Sequence, residues 1–385
     1  MLPALPSRTT PELDELILRV PTASAALGRG LHPLILEEIA RLMVKVNSYY
    51  TNAMEGNPSK LKDIDAALNK EFFKDKIARN YQLEHVAHIE VQEAMLQRLW
   101  QEPKLNVCSE EFLCWLHKQF FIRLPEEMRF AKTESGKLVP VEPGRLRDRG
   151  ITVGRHEGPV KQEEIRHHLS QFETLLNPER LTGANKLLGW ASSHHRSVWI
   201  HPFPEGNGRV ARLLTTAYGI RIGVNDHMLW TVARAFARNR ADYDAHLAAA
   251  DLPRRNDLDG RGPLSEENLI EFCAYFLRCC EDQIRFMESR LQLTELKRRY
   301  QRFISGLTDE KQLSKAGAKV MEQLLFQGEI ARGQVPEICG VKQRRATQIV
   351  KELLNAKIAR SRTAYGALRL NIDSDMASVL FPKLA

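Results

Sequence analysis

HPFPEGNGRVAR, residues 201–212, gathers a histidine, an acid, two glycines around an asparagine and two arginines into twelve positions. Pro202 and Pro204 interrupt the helical pattern of 185–199, and a second helix restarts after Gly208 and runs through Leu213 to Ile222, so the stretch is a joint between two helices. Gly206 and Gly208 admit backbone angles closed to other residues, which lets successive N–H groups converge on one point. The helix N-terminus that follows favours negative charge. Arg209 and Arg212 lie three apart and leave from neighbouring positions on that helix. The pattern predicts a site for a multiply charged anion. Glu205 beside it would repel a phosphate unless a cation sat between them, and Mg²⁺ commonly binds through one carboxylate, phosphate oxygens and water. His201, with an ordinary pKa near ~6.5, can take a proton from an attacking hydroxyl. Base, metal and anion nest together predict transfer of a phosphate-containing group. The sequence has no GxxxxGK[ST] loop and no GxGxxG after a strand, which disfavours P-loop and dinucleotide folds.

The rest of the chain reads as mostly α. From Pro33 to Met54 the residues Ile35, Leu36, Ile39, Leu42, Met43, Val46 and Tyr50 recur every three or four positions, the mark of one long amphipathic helix. Pro33 suits its first turn, and it stops at Gly56-Asn57-Pro58. Helices are predicted over 81–100, 109–121, 161–176, 231–250 and 265–289, and TELKRRYQRF after the last reads as a helical linker. Between Val139 and Pro159 the texture changes to Gly, Pro and short β-prone pieces, which predicts a hairpin or flap. The tail orders a helix over 315–326, a short helix over 334–339, a turn at Gly340, a third helix over 343–355 and a hairpin in RSRTAYGALRLNI. That order is the winged helix-turn-helix plan. Lys342, Arg344, Arg345 and Lys351 are its candidate phosphate contacts, with DNA or a second protein as the partner.

At 385 residues and 44.0 kDa, two or three domains are expected. Mean hydropathy is −0.36 and no apolar run approaches the length of a membrane span. The start lacks the pattern of a secretory leader, so the expected address is the cytoplasm with no membrane partner. The six cysteines form no CxxC pair and have no zinc-type histidine spacing, and are expected as reduced, mostly buried thiols. Residues 281–385 carry 19 Lys or Arg against 12 Asp or Glu, a surplus of seven out of the whole chain's eight. If nucleic acid is a partner, the tail meets it.

The joint resembles the Fic (Fido) pattern HxFx[DE]GNGRxxR at all eight of its defining positions. RDRGITVGRHEGP at 147–159, His195 six residues before His201, and ADYDAHLAAAD at 241–251 sit where that family has counterparts, so the resemblance covers roughly residues 30–280. It implies a helical core with a hairpin flap and an activity of adenylylation. A target Ser, Thr or Tyr hydroxyl attacks the α-phosphate of ATP, AMP is transferred, and pyrophosphate leaves. By resemblance His201 is the general base and Glu205 holds Mg²⁺. Asn207 and the N–H groups of Gly206 and Gly208 bind phosphate, Arg209 stabilises the leaving charge, and Arg212 meets the γ-phosphate. Val153, Gly154, Arg155 and His156 match the flap tip over the nucleotide, which pins the target by adding a strand to it. Tyr243 matches the first of two tyrosines near adenine and ribose. Asp244 stands in place of the second, and Asp251 in place of a family asparagine, departures that touch the base pocket. Asn239 is a possible helper there.

Glu55 lies in the last turn of the long helix, where a negative charge opposes the macrodipole at a cost of roughly 0.3–1 kcal/mol. Thr51, Glu55 and Gly56 match the same family's inhibitory pattern [ST]xxxE[GN]. The resemblance implies that Glu55 pairs with Arg212 and takes the arginine meant for the γ-phosphate. The expected organisation is an N-terminal helical region at 1–105 with the inhibitory helix at about 33–56, a Fic catalytic core at 106–285, a linker at 286–310 and the winged helix at 311–385. A homodimer is expected. Alternatives left open are a DNA-binding regulator with a nucleotide-sensing core, transfer of another phosphate-containing group, and removal of AMP.

Overall fold

The structure, a computed structural model, describes residues 1–133, 135–150, 152–153 and 156–385, with the flap strands described by their backbone. Helix α1 (Pro11–Ala26) leads to the long α2 (Pro33–Met54), α3 (Leu61–Leu68), α4 (Lys76–Gln101) and α5 (Glu110–Arg123). Two hairpins follow, β1 (Phe130–Lys132) with β2 (Leu138–Pro140) and β3 (Thr152–Val153) with β4 (His156–Glu157), both antiparallel. Helices α6 (Gln162–Leu176), α7 (Ala184–Ile200), α8 (Asn207–Arg221), α9 (Ala233–Arg238), α10 (Arg240–Ala250) and α11 (Glu266–Leu291) complete the core. Beyond it lie α12 (Leu293–Asp309), α13 (Lys315–Gln327), β5 (Glu329–Ile330), α14 (Val335–Cys339), α15 (Gln343–Asn355), β6 (Ala359–Arg360), β7 (Leu368–Leu370) and α16 (Ser374–Leu380). The last three strands form one antiparallel sheet in the order β5-β7-β6.

Local chemistry sets the ends that matter. Helix α2 starts where His32 Nδ1 accepts the Leu34 N–H at 3.2 Å and Pro33 occupies the first turn. It ends at Glu55, followed by Gly56 with φ +85°. Helix α5 is capped by Ser109 Oγ on the Phe112 N–H, with Glu110 and Glu111 in its first turn. Helices α7 and α8 pack on each other, and α2, α4, α5, α6 and α11 surround them. One continuous buried apolar cluster runs from α1 through α8 and α11 into the C-terminal sheet.

One expectation is corrected. The region 231–250 is two helices, because the chain leaves helical angles at Asn239, with φ −129° and ψ 59°. The hairpin expected within 139–159 is β3–β4, and a further hairpin, β1–β2, precedes it from Phe130. The predicted linker is helical, as α12, and it packs on α13 and α16 through buried Leu296, Tyr300 and Ile304. Among the described residues no helix is long and apolar enough to cross a membrane, and all six cysteines are free thiols.

Candidate active site

Helix α7 terminates in His201, held at φ +48° and ψ 59°, a left-handed conformation that costs a non-glycine residue energy and persists only where its surroundings fix it. Arg147 supplies much of that fixing. Its Nε donates to the His201 carbonyl at 2.6 Å and its Nη2 to the Ile200 carbonyl at 3.3 Å, while its own backbone N–H donates to Pro202 at 3.0 Å. Its Nη1 donates to the carbonyls of Arg149 at 2.5 Å and Pro159 at 2.6 Å. One guanidinium therefore ties both ends of the flap to the residue that the sequence marks as the base. The side chain is buried, and burial draws its pKa down to about 10.

The loop after His201 is held from within and from α5. Phe203 is buried and stacks on His117 with ring centres 4.1 Å apart. His117 Nδ1 accepts the Gly144 N–H at 2.8 Å, which leaves the proton on Nε2 to donate to the Glu205 carbonyl at 3.3 Å. The Asn207 amide accepts the Phe203 N–H at 2.9 Å and donates to the Phe203 carbonyl at 2.7 Å. Both ends of that side chain are thus engaged, and what Asn207 presents to the cleft is its backbone N–H at the start of α8. Gly206 precedes it at φ +79°.

An open cleft of about 970 Å³ is lined by Glu55, His201, Glu205, Gly206, Asn207 and Gly208 together with Lys132, Lys137 and Arg149. Glu55 reaches across from the end of α2 and pairs with Arg212 Nη2, whose second bond is to the Thr51 carbonyl at 3.2 Å. A Cβ on Gly208 would meet Glu55 Oε1 at 2.5 Å and Arg212 Nη1 at 3.0 Å. The carboxylate thus lies against the backbone of the α8 N-terminus. Burial alone would raise its pKa, but Arg212, Arg209 and Arg240 outweigh burial and hold it below the usual glutamate range.

Other sequence-marked residues lie off the cleft. Arg209 Nε donates to Asn52 Oδ1 at 2.9 Å, its Nη2 pairs with Glu84 at 3.2 Å, and its guanidinium covers Phe120. Tyr243 is 4% exposed, stacked on Phe236, with its hydroxyl on His194 Nε2 at 2.9 Å. In this structure α10 turns the tyrosine inward, and it does not line the cleft. Asp244 pairs with Arg240 at 2.7 Å, and Asp251 faces His195 Nε2 at 3.1 Å. Asn239 bonds Asp242. Gly154 and Arg155 lie outside the described residues, and Val153 and His156 are seen as a backbone pair across the β3–β4 hairpin. Sequence reasoning missed Arg147, His117, Asn52 and Glu84. A readable signal for Asn52 is the group of uncharged polar residues Asn47, Ser48, Thr51 and Asn52 in the second half of α2, all of which are buried.

Glu205 faces the cleft with its Oε1 accepting the Gly206 N–H at 2.9 Å. Among the described residues no group of three or more His, Cys, Asp or Glu is gathered for a metal. A divalent cation here would take one carboxylate and draw its remaining ligands from phosphate and water, a donor set that suits Mg²⁺.

Residues 107–218 match the Fic/DOC family profile. The protein adenylyltransferase fic-1 of Caenorhabditis elegans is 35% identical over 117 residues, which are 30% of this chain and 22% of the relative. The protein adenylyltransferase Fic of Nematostella vectensis is 26% identical over 215 residues, 55% of this chain and 44% of that one. The chain thus spans about a fifth of the first of these relatives. A solved Fic family protein from Desulfovibrio desulfuricans superposes with a TM-score of 0.56 over 95% of this chain and 98% of its own, at 16% identity. Solved Fic-1 from C. elegans gives 0.53 over 73% of each chain, at 19% identity. Residues 107–218 are a Fic domain, and the fold is the Fic fold.

Proposed function

We propose that the chain is a protein adenylyltransferase, transferring AMP from ATP to a Ser, Thr or Tyr hydroxyl of a target protein or of itself, and that Glu55 holds it off. The observation that carries this is the placement of the Glu55 carboxylate on Arg212 against the Gly208 backbone. An anion already occupies the place where the α8 N-terminus and Arg212 would receive phosphate. The names of the relatives support the same chemistry.

In this reading His201 takes the proton of the target hydroxyl as its oxygen bonds to the α-phosphorus, and the bond to pyrophosphate breaks. The N–H groups of Asn207 and Gly208 bind phosphate, joined by that of Gly206 once Glu205 turns from it to a cation; Glu205 would hold Mg²⁺, which would offset the phosphate charge. Arg212 serves the γ-phosphate once Glu55 leaves, and Arg209 helps carry the departing charge from its seat on Asn52. The β3–β4 flap aligns the target backbone.

Incorporation of labelled AMP by the parent, Glu55→Gly, and Glu55→Gly with His201→Ala tests the proposal. A rise in the first variant that vanishes in the second is expected. Equal incorporation in all three refutes it. Mass added from other nucleotides, and loss of AMP from a modified target, separate transfer of other groups and the reverse reaction.

A second reading concerns the tail. Residues 311–385 have the helix and strand order of a winged helix, and Arg344, Arg345 and Lys351 on α15 are exposed, as is Lys342 beside them. We read that face as a contact for duplex DNA. Binding that weakens steeply with salt, and falls when Arg344 and Arg345 become Gln, is the expected result.

A further inference from the structure

We propose that the sheet β5-β7-β6 is a docking surface for the acidic face of α2, and that this grip keeps Glu55 seated over the anion nest. The inference rests on the reading of Glu55 as the brake. Arg360 and Arg369 are Cα partners across β6 and β7, so both side chains leave the same face of the sheet, while Leu368, Leu370 and Ile330 are buried in the core. That face lies against α2. Arg360 bonds both oxygens of Glu38, with Nε at 2.9 Å, and the Glu38 side chain is 2% exposed. Arg369 Nη1 reaches Glu37 at 3.1 Å and Arg362 reaches it at 3.4 Å.

The grip continues along α2. Lys45 Nζ bridges Asp65 at 2.7 Å and the Ile372 carbonyl at 3.0 Å, and Asp65 in turn accepts the Ser374 N–H at 2.6 Å. Tyr50 donates its hydroxyl to the Leu384 carbonyl at 2.8 Å. The anchored positions thus run from 37 to 50, roughly 20 Å at about 1.5 Å per residue. The three residues that engage α8 follow at once: Thr51 on Arg212, Asn52 on Arg209, and Glu55 on Arg212. Between Leu34 and Glu55 there is no proline or glycine, so nothing uncouples the two ends. A slip or rotation of α2 at Glu38 therefore displaces Glu55. The grip uses the sheet and leaves the exposed cations of α15 free for another ligand.

The test measures labelled AMP incorporation by the full chain carrying Arg360→Gln or Tyr50→Phe, each alone and with Glu55→Gly. Arg360→Gln is expected to raise incorporation by about fivefold or more, the range of a typical coupling between sites. Tyr50→Phe, which removes one hydroxyl, gives a smaller rise. Neither adds to Glu55→Gly, and exchanging the pair, Glu38→Arg with Arg360→Glu, returns incorporation toward the parent. A folded Arg360→Gln at the parent's level overturns the proposal, as does an equal rise in the Glu55→Gly background. If Arg360→Gln does not fold, Tyr50→Phe decides by the same two criteria. Hydrogen exchange over residues 50–57 needs no turnover and is expected to quicken in both variants. If Glu55→Gly itself shows no AMP incorporation, the functional reading has failed, and unchanged exchange would then defeat the grip independently.

Discussion

The Glu55 carboxylate pairs with the Arg212 guanidinium in the space that a side chain on Gly208 would fill. Its ionisation sets how the pair answers to pH. Burial raises its pKa, but the three arginines around it lower it further, and the net shift is downward. A carboxyl with a folded value below its unfolded one contributes stability above the unfolded value, about 4.3, and loses it only as pH falls through the folded value. The brake should therefore stay on through neutral and mildly acidic solution. The ratio of AMP incorporation by Glu55→Gly to that of the parent is expected to be flat between about pH 6 and 8. A ratio that collapses toward one on mild acidification would contradict the pairing.

Arg147 is a buried cation whose side-chain partners among the described residues are all carbonyl oxygens: those of Arg149, Pro159, Ile200 and His201. Arg147→Met strands these groups, and each unsatisfied buried acceptor costs about 1–3 kcal/mol before water relieves part of it. A net loss of about 2–4 kcal/mol in urea unfolding is expected. In the Glu55→Gly background kcat should fall by about a hundredfold, because the flap and His201 lose their common tie, while ATP affinity changes little. A drop confined to ATP affinity would assign the arginine to the nucleotide instead.

How much of this was legible follows from the range of each signal. HPFPEGNGRVAR is local: glycine angles, a helix start and the proximity of Glu205 to His201 are all written within twelve residues. The approach of Glu55 to Arg212 spans 157 positions, and the residues reached it through a family pattern rather than through periodicity. Arg147 and His117 carried no such mark, because a side chain that bonds backbone carbonyls or N–H groups has no partner residue type to look for. Tyr243 is the opposite case. Its motif position is compatible with a ligand, but the hydroxyl found His194 and the ring found Phe236.

Tyr243→Phe tests that last point. The change removes the bond to buried His194, whose other ring nitrogen lies 2.6 Å from Thr215 Oγ1. A loss of about 1–2 kcal/mol in stability is expected from the unpaired ring nitrogen. Preference for ATP over GTP should not move. A changed preference would return the tyrosine to the base pocket.

Buried histidines make the fold acid-sensitive. Burial draws His85, His117 and His194 each down to about 3, so all three are neutral when folded. The unfolded chain takes up a proton on each below about 6.5, so stability is full above that value and declines as pH falls toward 3. The limiting slope is roughly 1.4 kcal/mol per pH unit for each histidine. The urea midpoint should drop steadily from pH 7 to 5, and His117→Gln should make the drop shallower. A midpoint indifferent to pH over that range would mean that these imidazoles are solvated.

Glu205 separates two ways in which the site could bind a nucleotide. Its carboxylate faces the same cleft as the N–H groups of Gly206, Asn207 and Gly208. Without a cation it opposes phosphate, and with one it supplies the only protein ligand that the proposed metal needs. In the Glu55→Gly background Glu205→Gln should therefore bind metal-free ATP more tightly than Glu55→Gly alone, by about tenfold if one contact repulsion of about 1.4 kcal/mol is removed. With Mg²⁺ present the order should reverse, and calorimetric titration of both proteins with ATP in EDTA and in Mg²⁺ reads the crossing directly. Weaker binding in both conditions would mean that Glu205 serves the loop through its bond to Gly206 rather than the metal.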